Sequence, residues 1–222
     1  MFLNSRNQKS LITNSFYLYL SHFADYLLAL FFLPFIAIKL GAFEFGKIGV
    51  VQTFGILIVL VVEFGSTLIA TREVARLRDN KKELKTFVIK ITTFKISLIP
   101  LVLIISMLVT IYIPFFFKNQ IYFIITVLGS VFQGVAPTWY FQGLEKMKKI
   151  ALTKIIFRLI GFLLILIFVK SPNDGWIVLA AFSSSSFLIC LYLYYSVINE
   201  FESFRFIKTG NLKEIFNKSI FS

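Results

Sequence analysis

Six long apolar runs dominate the chain and decide its fold class before any motif is considered. They cover 16–38, 48–70, 87–113, 121–140, 150–169 and 176–198. A helix needs about 20 apolar residues to cross a hydrocarbon core of about 30 Å, and each run is long enough. In lipid the backbone must satisfy its own polar groups, so a run of this kind crosses as a helix. The remaining residues could not clothe a soluble domain: 58% of the 222 residues are hydrophobic and 15% charged, against about half and a quarter in soluble proteins. Disorder and coiled coil fail for the same reason. The fold class expected is therefore all-α integral membrane, with six transmembrane helices. The first run exceeds a signal-peptide core and reaches Lys39 without a small-x-small cleavage site, so it is read as a retained span.

The net charge of +12 could mark nucleic acid, anionic lipid, or the cytoplasmic bias of Lys and Arg in membrane loops. Its distribution decides. Arg6 and Lys9 precede the first run, and Arg72, Arg76, Arg78, Lys81, Lys82 and Lys85 follow the second. Lys146, Lys148 and Lys149 follow the fourth, and Arg205, Lys208, Lys213 and Lys218 follow the sixth. The other side carries only Lys39, Lys47, Lys118 and Lys170. The rule that positive loops stay inside then places both termini in the cytoplasm. Most of the charge is topology, and no nucleic-acid partner is expected.

Seven ionisable residues fall inside the runs: Lys90, Lys95, Lys154, Arg158, Asp25, Glu63 and His22. Charges within a bilayer face a bundle interior or a wet cavity, or snorkel to the headgroups. At a rise of about 1.5 Å per residue, Lys90 and Lys154 lie within roughly 6 Å of the cytoplasmic end, which suits snorkelling. Asp25, Lys95 and Arg158 lie roughly 12 to 14 Å deep on the same scale, so three charges on three helices share one level. Two readings stay open: a structural ion pair that pins helices together, or a cationic wet cavity open to the cytoplasm with Asp25 as counter-charge or coupling site. The four cations and two acids sum to about +2, which favours an anionic ligand. Glu63 either joins this group or pairs with loop cations. His22, three residues before Asp25 on the same face, is read as a hydrogen-bonded packing histidine, with a proton relay as the alternative.

Other features are less specific. Pro34, Pro100 and Pro137 favour kinks, and the run 183–186, SSSS, permits close helix packing or lines water. Cys190 has no cysteine partner and reads as a buried small side chain. No HExxH, Cys/His cluster, glycine-rich phosphate loop or activated serine stands out, so no enzyme, metal or cofactor is expected.

Three stretches carry a resemblance. Residues 136–148, APTWYFQGLEKMK, look like a Pro-x-Trp-aromatic-Phe-Gln-Gly-x-Glu signature through Pro137, Trp139, Phe141, Gln142, Gly143 and Glu145. Residues 69–84, IATREVARLRDNKKEL, resemble an Arg-Glu second loop through Arg72 and Glu73, and 40–46, LGAFEFG, a turn after span one through Gly41 and Gly46. All three resemble the bacterial O-antigen and polysaccharide flippases of the multidrug/oligosaccharidyl-lipid/polysaccharide exporter superfamily.

That resemblance implies a two-lobe exporter fold, of which residues 1–200 would form the six-helix N-terminal lobe and 201–222 a cytoplasmic connector toward a second lobe. It implies an inner-membrane protein that moves undecaprenyl-pyrophosphate-linked oligosaccharide from the cytoplasmic to the periplasmic leaflet. A second copy or a separate C-terminal half would complete the passage. Within that frame Lys95 and Arg158 are the substrate-binding candidates, and Asp25, Glu63 and His22 the counter-charge or ion-coupling candidates. The Gln142–Glu145 segment reads as close packing at Gly143 with a loop salt bridge from Glu145. The competing expectations are a drug/cation antiporter of the same superfamily, which would want an acidic cavity, and a membrane fragment or interaction subunit that transports nothing.

Overall fold

A computed structural model describes residues 5–201, with side chains for 13–20 and 23–201. The side chain of His22 and all of the expected connector beyond Phe201 lie outside the described residues. In order, the helices are α1 (Ser5–Glu63), α2 (Ser66–Leu77), α3 (Lys81–Ser97), α4 (Ile99–Tyr112), α5 (Pro114–Lys118), α6 (Gln120–Val135), α7 (Thr138–Gly143), α8 (Met147–Phe168) and α9 (Gly175–Glu200). A short 3-10 turn, Pro172–Asp174, precedes α9. No strand occurs among the described residues. The chain is an all-α, multi-pass membrane protein.

Five helical stretches are long and apolar enough to cross a membrane. The first, Thr13–Glu63, has 51 residues, about 77 Å of helix and more than twice a hydrocarbon core. It is two limbs. At Gly41 the backbone swings to φ 77°, ψ 165°, a region that a side chain disfavours and glycine enters freely. The limbs on either side share one buried cluster through Phe32, Ile36, Leu40 and Ile48. Two crossings thus come from one continuous apolar stretch, as the first two runs require. Pro34 sits inside the first limb without leaving helical geometry.

The next three breaks lie toward the basic end of the bundle, where the Arg/Lys-rich loops gather. The second limb stops at Phe64 and Gly65, both at positive φ, and α2 leads away. Span three breaks at Leu98, just before Pro100 at the start of α4. Span four breaks at Ala136 and Pro137. Proline cannot donate to the preceding turn, so carbonyls at the end of α6 lose their helical partners. Two donors from other helices replace them: Lys95 Nζ donates to Gly134 O at 3.0 Å, and Tyr194 Oη donates to Val135 O at 3.0 Å.

Packing divides accordingly. At the basic end, Ala70, Val74, Val88, Trp139, Tyr140, Phe141 and Leu193 join α2, α3, α7 and the end of α9 in one buried cluster. Toward the other end, one cluster links the α1 limbs to α8 and α9, and another links the second limb to α4, α5 and α6. Small residues let the helices approach closely. A Cβ on Gly129 of α6 would stand 2.3 Å from Ser183 Oγ of α9, and one on Gly161 of α8 would stand 2.4 Å from Ser185 Oγ. Ser183 donates to Ile125 O across that contact, and Ser185 donates to Phe157 O. Ser183 and Ser185 of the serine run therefore serve packing, as close-approach residues do in membranes. Outward-facing side chains such as Ile104, Met107, Ile111, Leu163 and Ile167 are exposed and apolar, the surface that lipid covers.

Candidate functional site

The limbs of α1, together with α6, α8 and α9, surround a cavity of about 600 Å³. Span three adds no residue to its lining, because α3 and α4 pack on the outside of α6. That placement separates residues which depth alone had grouped together.

Four charged side chains line the cavity: Asp25 from the first limb, Glu63 from the second, and Lys154 and Arg158 from α8. Arg158 Nη1 donates to Asp25 Oδ1, pairing the two helices. The side chains are 34% and 30% exposed, so the pair is part buried and still wetted by the cavity. Lys154 precedes Arg158 by one helical turn and shares its face. It lines the cavity rather than reaching for the headgroups, which corrects the snorkelling expectation. Lys90 is exposed and is absent from the cavity lining. Neither Glu63 nor Lys154 forms an ion pair within 4 Å among the described residues.

Lys95 departs from its expected place. It shares the depth of Arg158 but sits on α3, outside the ring of helices, with 0% exposure and its ammonium on Gly134 O. Its chemistry there is that of a cap. A cation at a helix C-terminus meets freed carbonyls and the negative end of the helix dipole. Without Lys90 and Lys95, the lining holds two cations and two acids, so the expected cationic cavity is formally neutral. The inference of +2 failed because it counted charges by depth and not by the side of the helix they occupy.

Among neutral groups, Gln52, Thr126, Ser130, Gln133, Thr138, Ser183, Ser185 and Ser186 also line the cavity. The sequence reading missed Gln52 and Gln133. The signal was available, since Gln52, Ile56, Val59 and Glu63 follow helical spacing along one limb and all four line the cavity. The two glutamines drew no notice because amides do not disturb a hydropathy count as charges do.

The signature residues stand apart from the cavity. Trp139 and Phe141 are fully buried. Tyr140 donates its hydroxyl to Glu200 at 2.6 Å, and Lys146 pairs with the same carboxylate at 2.6 Å. Gln142 accepts a bond of 3.4 Å from Thr71. A Cβ on Gly143 would stand 2.6 Å from Val74 and 2.7 Å from Thr71 O. Glu145 and Arg78 lie 4.0 Å apart at the surface. Glu73 pairs within α2 with Arg76, and Arg72 is exposed. Pro137 breaks the fourth span. The signature thus docks α7 onto α2 and ties both to the end of α9. Of the two turn glycines, Gly41 is required by its φ, whereas a Cβ on Gly46 would meet nothing within 4 Å. No group of three or more metal-binding side chains occurs among the described residues.

Residues 11–222 match the polysaccharide biosynthesis protein family. The chain belongs to that family. It is 33% identical over 180 residues to a protein of Escherichia coli (strain K12) named "Putative O-antigen transporter", covering 81% of this chain and 43% of the relative. A Shigella dysenteriae protein of the same name is 32% identical over 186 residues, covering 81% and 46%. The chain spans less than half the length of these relatives. No solved structure matches it. Within the family, the arrangement offers a polar, charge-paired chamber inside a membrane bundle, suited to holding a polar ligand away from lipid.

Proposed function

We propose that the chain is a lobe of a flippase that moves undecaprenyl-pyrophosphate-linked oligosaccharide from the cytoplasmic to the periplasmic leaflet of the inner membrane, with both termini cytoplasmic. The observation that carries the reading is Arg158, a guanidinium held inside the bundle on a cavity wall and balanced by an acid from another helix. A pyrophosphate is a strong acceptor for a bidentate guanidinium. Asp25 occupies that role in the structure, so an anionic headgroup competes with Asp25 for Arg158, and Lys154 one turn away supplies a second cation. Binding a proton or a metal cation at Asp25 would release Arg158 toward the substrate, which gives the site a physical means of coupling to an ion gradient. Glu63 lies at the same mouth as a second acid. A second copy or a C-terminal half completes the passage.

The balanced lining also supports a second reading, a drug/cation antiporter, because its two acids could serve a cationic ligand. Arg158→Ala separates the two. In a complementing full-length context the flippase reading expects loss of surface glycan with protein level unchanged, whereas normal glycan display demotes Arg158 to packing and removes the basis of the proposal.

A further inference from the structure

The cations at the basic end of the bundle divide by whether the fold employs them. Arg76 pairs with Glu73, Arg78 lies 3.9 and 4.0 Å from Asp79 and Glu145, and Lys146 pairs with Glu200. Lys148 stands over the Tyr17 ring and Lys149 over that of Phe141. Arg72, Lys81, Lys82 and Lys90 have no such partner among the described residues, and all four are exposed. They fall on one unit. The helices α2 and α3 are joined through residues 78–80 and share a buried cluster through Ala70, Val74, Leu84, Val88 and Ile91.

Unpaired cations in water would need no explanation, but Lys90 stands at the edge of lipid. The span Lys81–Tyr112 has 32 residues, about 48 Å of helix, against about 30 Å of hydrocarbon and about 40–45 Å with both headgroup layers. Measured from Tyr112, Lys90 lies about 33 Å along the helix and Lys82 about 45 Å, so the two bracket the headgroup layer at the basic end. The outward face changes character at that level. Ile96, 42% exposed, gives way to Lys90, Thr86 and Lys82, which recur at every fourth position and share a face. On α2 the change runs from Leu68, 76% exposed, to Arg72 one turn on. Because α3 packs on the outside of α6 and adds nothing to the cavity lining, its outward face meets lipid.

The chemistry of this face selects its partner. A lone ammonium beside hydrocarbon is costly without an anion, and a guanidinium favours two oxygens of one phosphate. A zwitterionic headgroup brings its own cation to compete for that phosphate, whereas an anionic one leaves it free.

We infer that the outward face of the α2–α3 pair is a docking site for anionic phospholipid in the leaflet at the basic end, with Arg72, Lys82 and Lys90 on headgroup phosphates, Lys81 at the outer edge, and Leu68 and Ile96 against the acyl chains. The site lies apart from the cavity and stands whichever ligand the chamber takes.

Native mass spectrometry of the purified full chain in detergent, titrated with phosphatidylglycerol or with phosphatidylcholine of the same acyl chains, tests it. A cation beside an anionic headgroup contributes about fivefold in affinity. Wild type should bind phosphatidylglycerol at least tenfold more tightly than phosphatidylcholine. Lys82→Gln with Lys90→Gln should lower that ratio at least fivefold, and Lys82→Arg with Lys90→Arg should keep it. Lys148→Gln with Lys149→Gln removes the same charge from the same end and should lower it less than twofold. Should the first pair fail to fold, Arg72→Gln alone, an exposed change on the other helix, should lower the ratio at least threefold. A wild-type ratio of one, a ratio retained in the stripe variants, or equal losses in the two glutamine pairs overturns the site. Displacement of bound phosphatidylglycerol by millimolar inorganic phosphate also overturns it and makes the face a site for free phosphate.

Discussion

The Asp25–Arg158 pair can be measured as a coupling. Arg158 donates to Asp25 across two helices, with the side chains about a third exposed. Hydrogen bonds to charged groups contribute about 1.5–3 kcal/mol, and fully exposed pairs 0.2–1 kcal/mol. The wetted position of this pair lies between, giving about 1–2 kcal/mol of coupling. For a chain of this length, 1 kcal/mol moves Tm by about 2–4 °C, so the effect is about 2–8 °C. Asp25→Asn strands the guanidinium on a largely apolar wall, and Arg158→Met strands the carboxylate. Each single variant should therefore melt lower than wild type. The double variant removes both charges and should melt higher than the sum of the single effects predicts, by that coupling. Thermal unfolding of the four proteins in one detergent measures it. Additivity within about 0.5 kcal/mol would refute the pairing, since contacting residues couple and independent ones add.

Other expectations follow from the same geometry. Lys95→Met should leave the affinity for undecaprenyl pyrophosphate within twofold of wild type, whereas Arg158→Met should lower it at least tenfold; equal losses in a binding titration would return Lys95 to the cavity. Gly143→Ala places a methyl group 2.6 Å from Val74 and 2.7 Å from Thr71 O, an overpacking that costs about 1–3 kcal/mol and should separate α7 from α2, read as a lower Tm in detergent. Reporter fusions after Lys81 and Lys148 should score cytoplasmic and a fusion after Lys118 periplasmic, and the reverse pattern would overturn the charge-based orientation.

Hydropathy made the helical, multi-pass architecture legible, because a crossing helix must be apolar along its whole length. It could not show where spans bend. Run two is apolar without interruption to residue 70, yet the chain turns at Phe64 and Gly65, and only the glycine there is a local hint. Pro137 was a better signal, since the lost donor forces the break that Lys95 and Tyr194 then repair. Pro34 shows the limit of that rule, lying in unbroken helical geometry. The site was half legible. Depth brought Asp25 and Arg158 to one level, and they meet. Depth alone misplaces Lys95 and Lys154, because a helix has a circumference as well as a depth, and the side that faces the chamber depends on which neighbours pack around it. Along α3 and α8, which carry these residues, the apolar periodicity is too weak to tell, since lipid and core are equally apolar.

The central claim is that this chamber holds the lipid-linked glycan, and site-specific photocrosslinking in cells that make the glycan tests it directly. A benzophenone side chain in place of Phe162, which lines the cavity, should yield an adduct containing the undecaprenyl-linked oligosaccharide, and the adduct should vanish when glycan synthesis is blocked. The same group in place of the outward-facing Leu163, 53% exposed, should capture ordinary phospholipid instead. Glycan adducts of equal yield at both positions, or none at Phe162, would contradict the account.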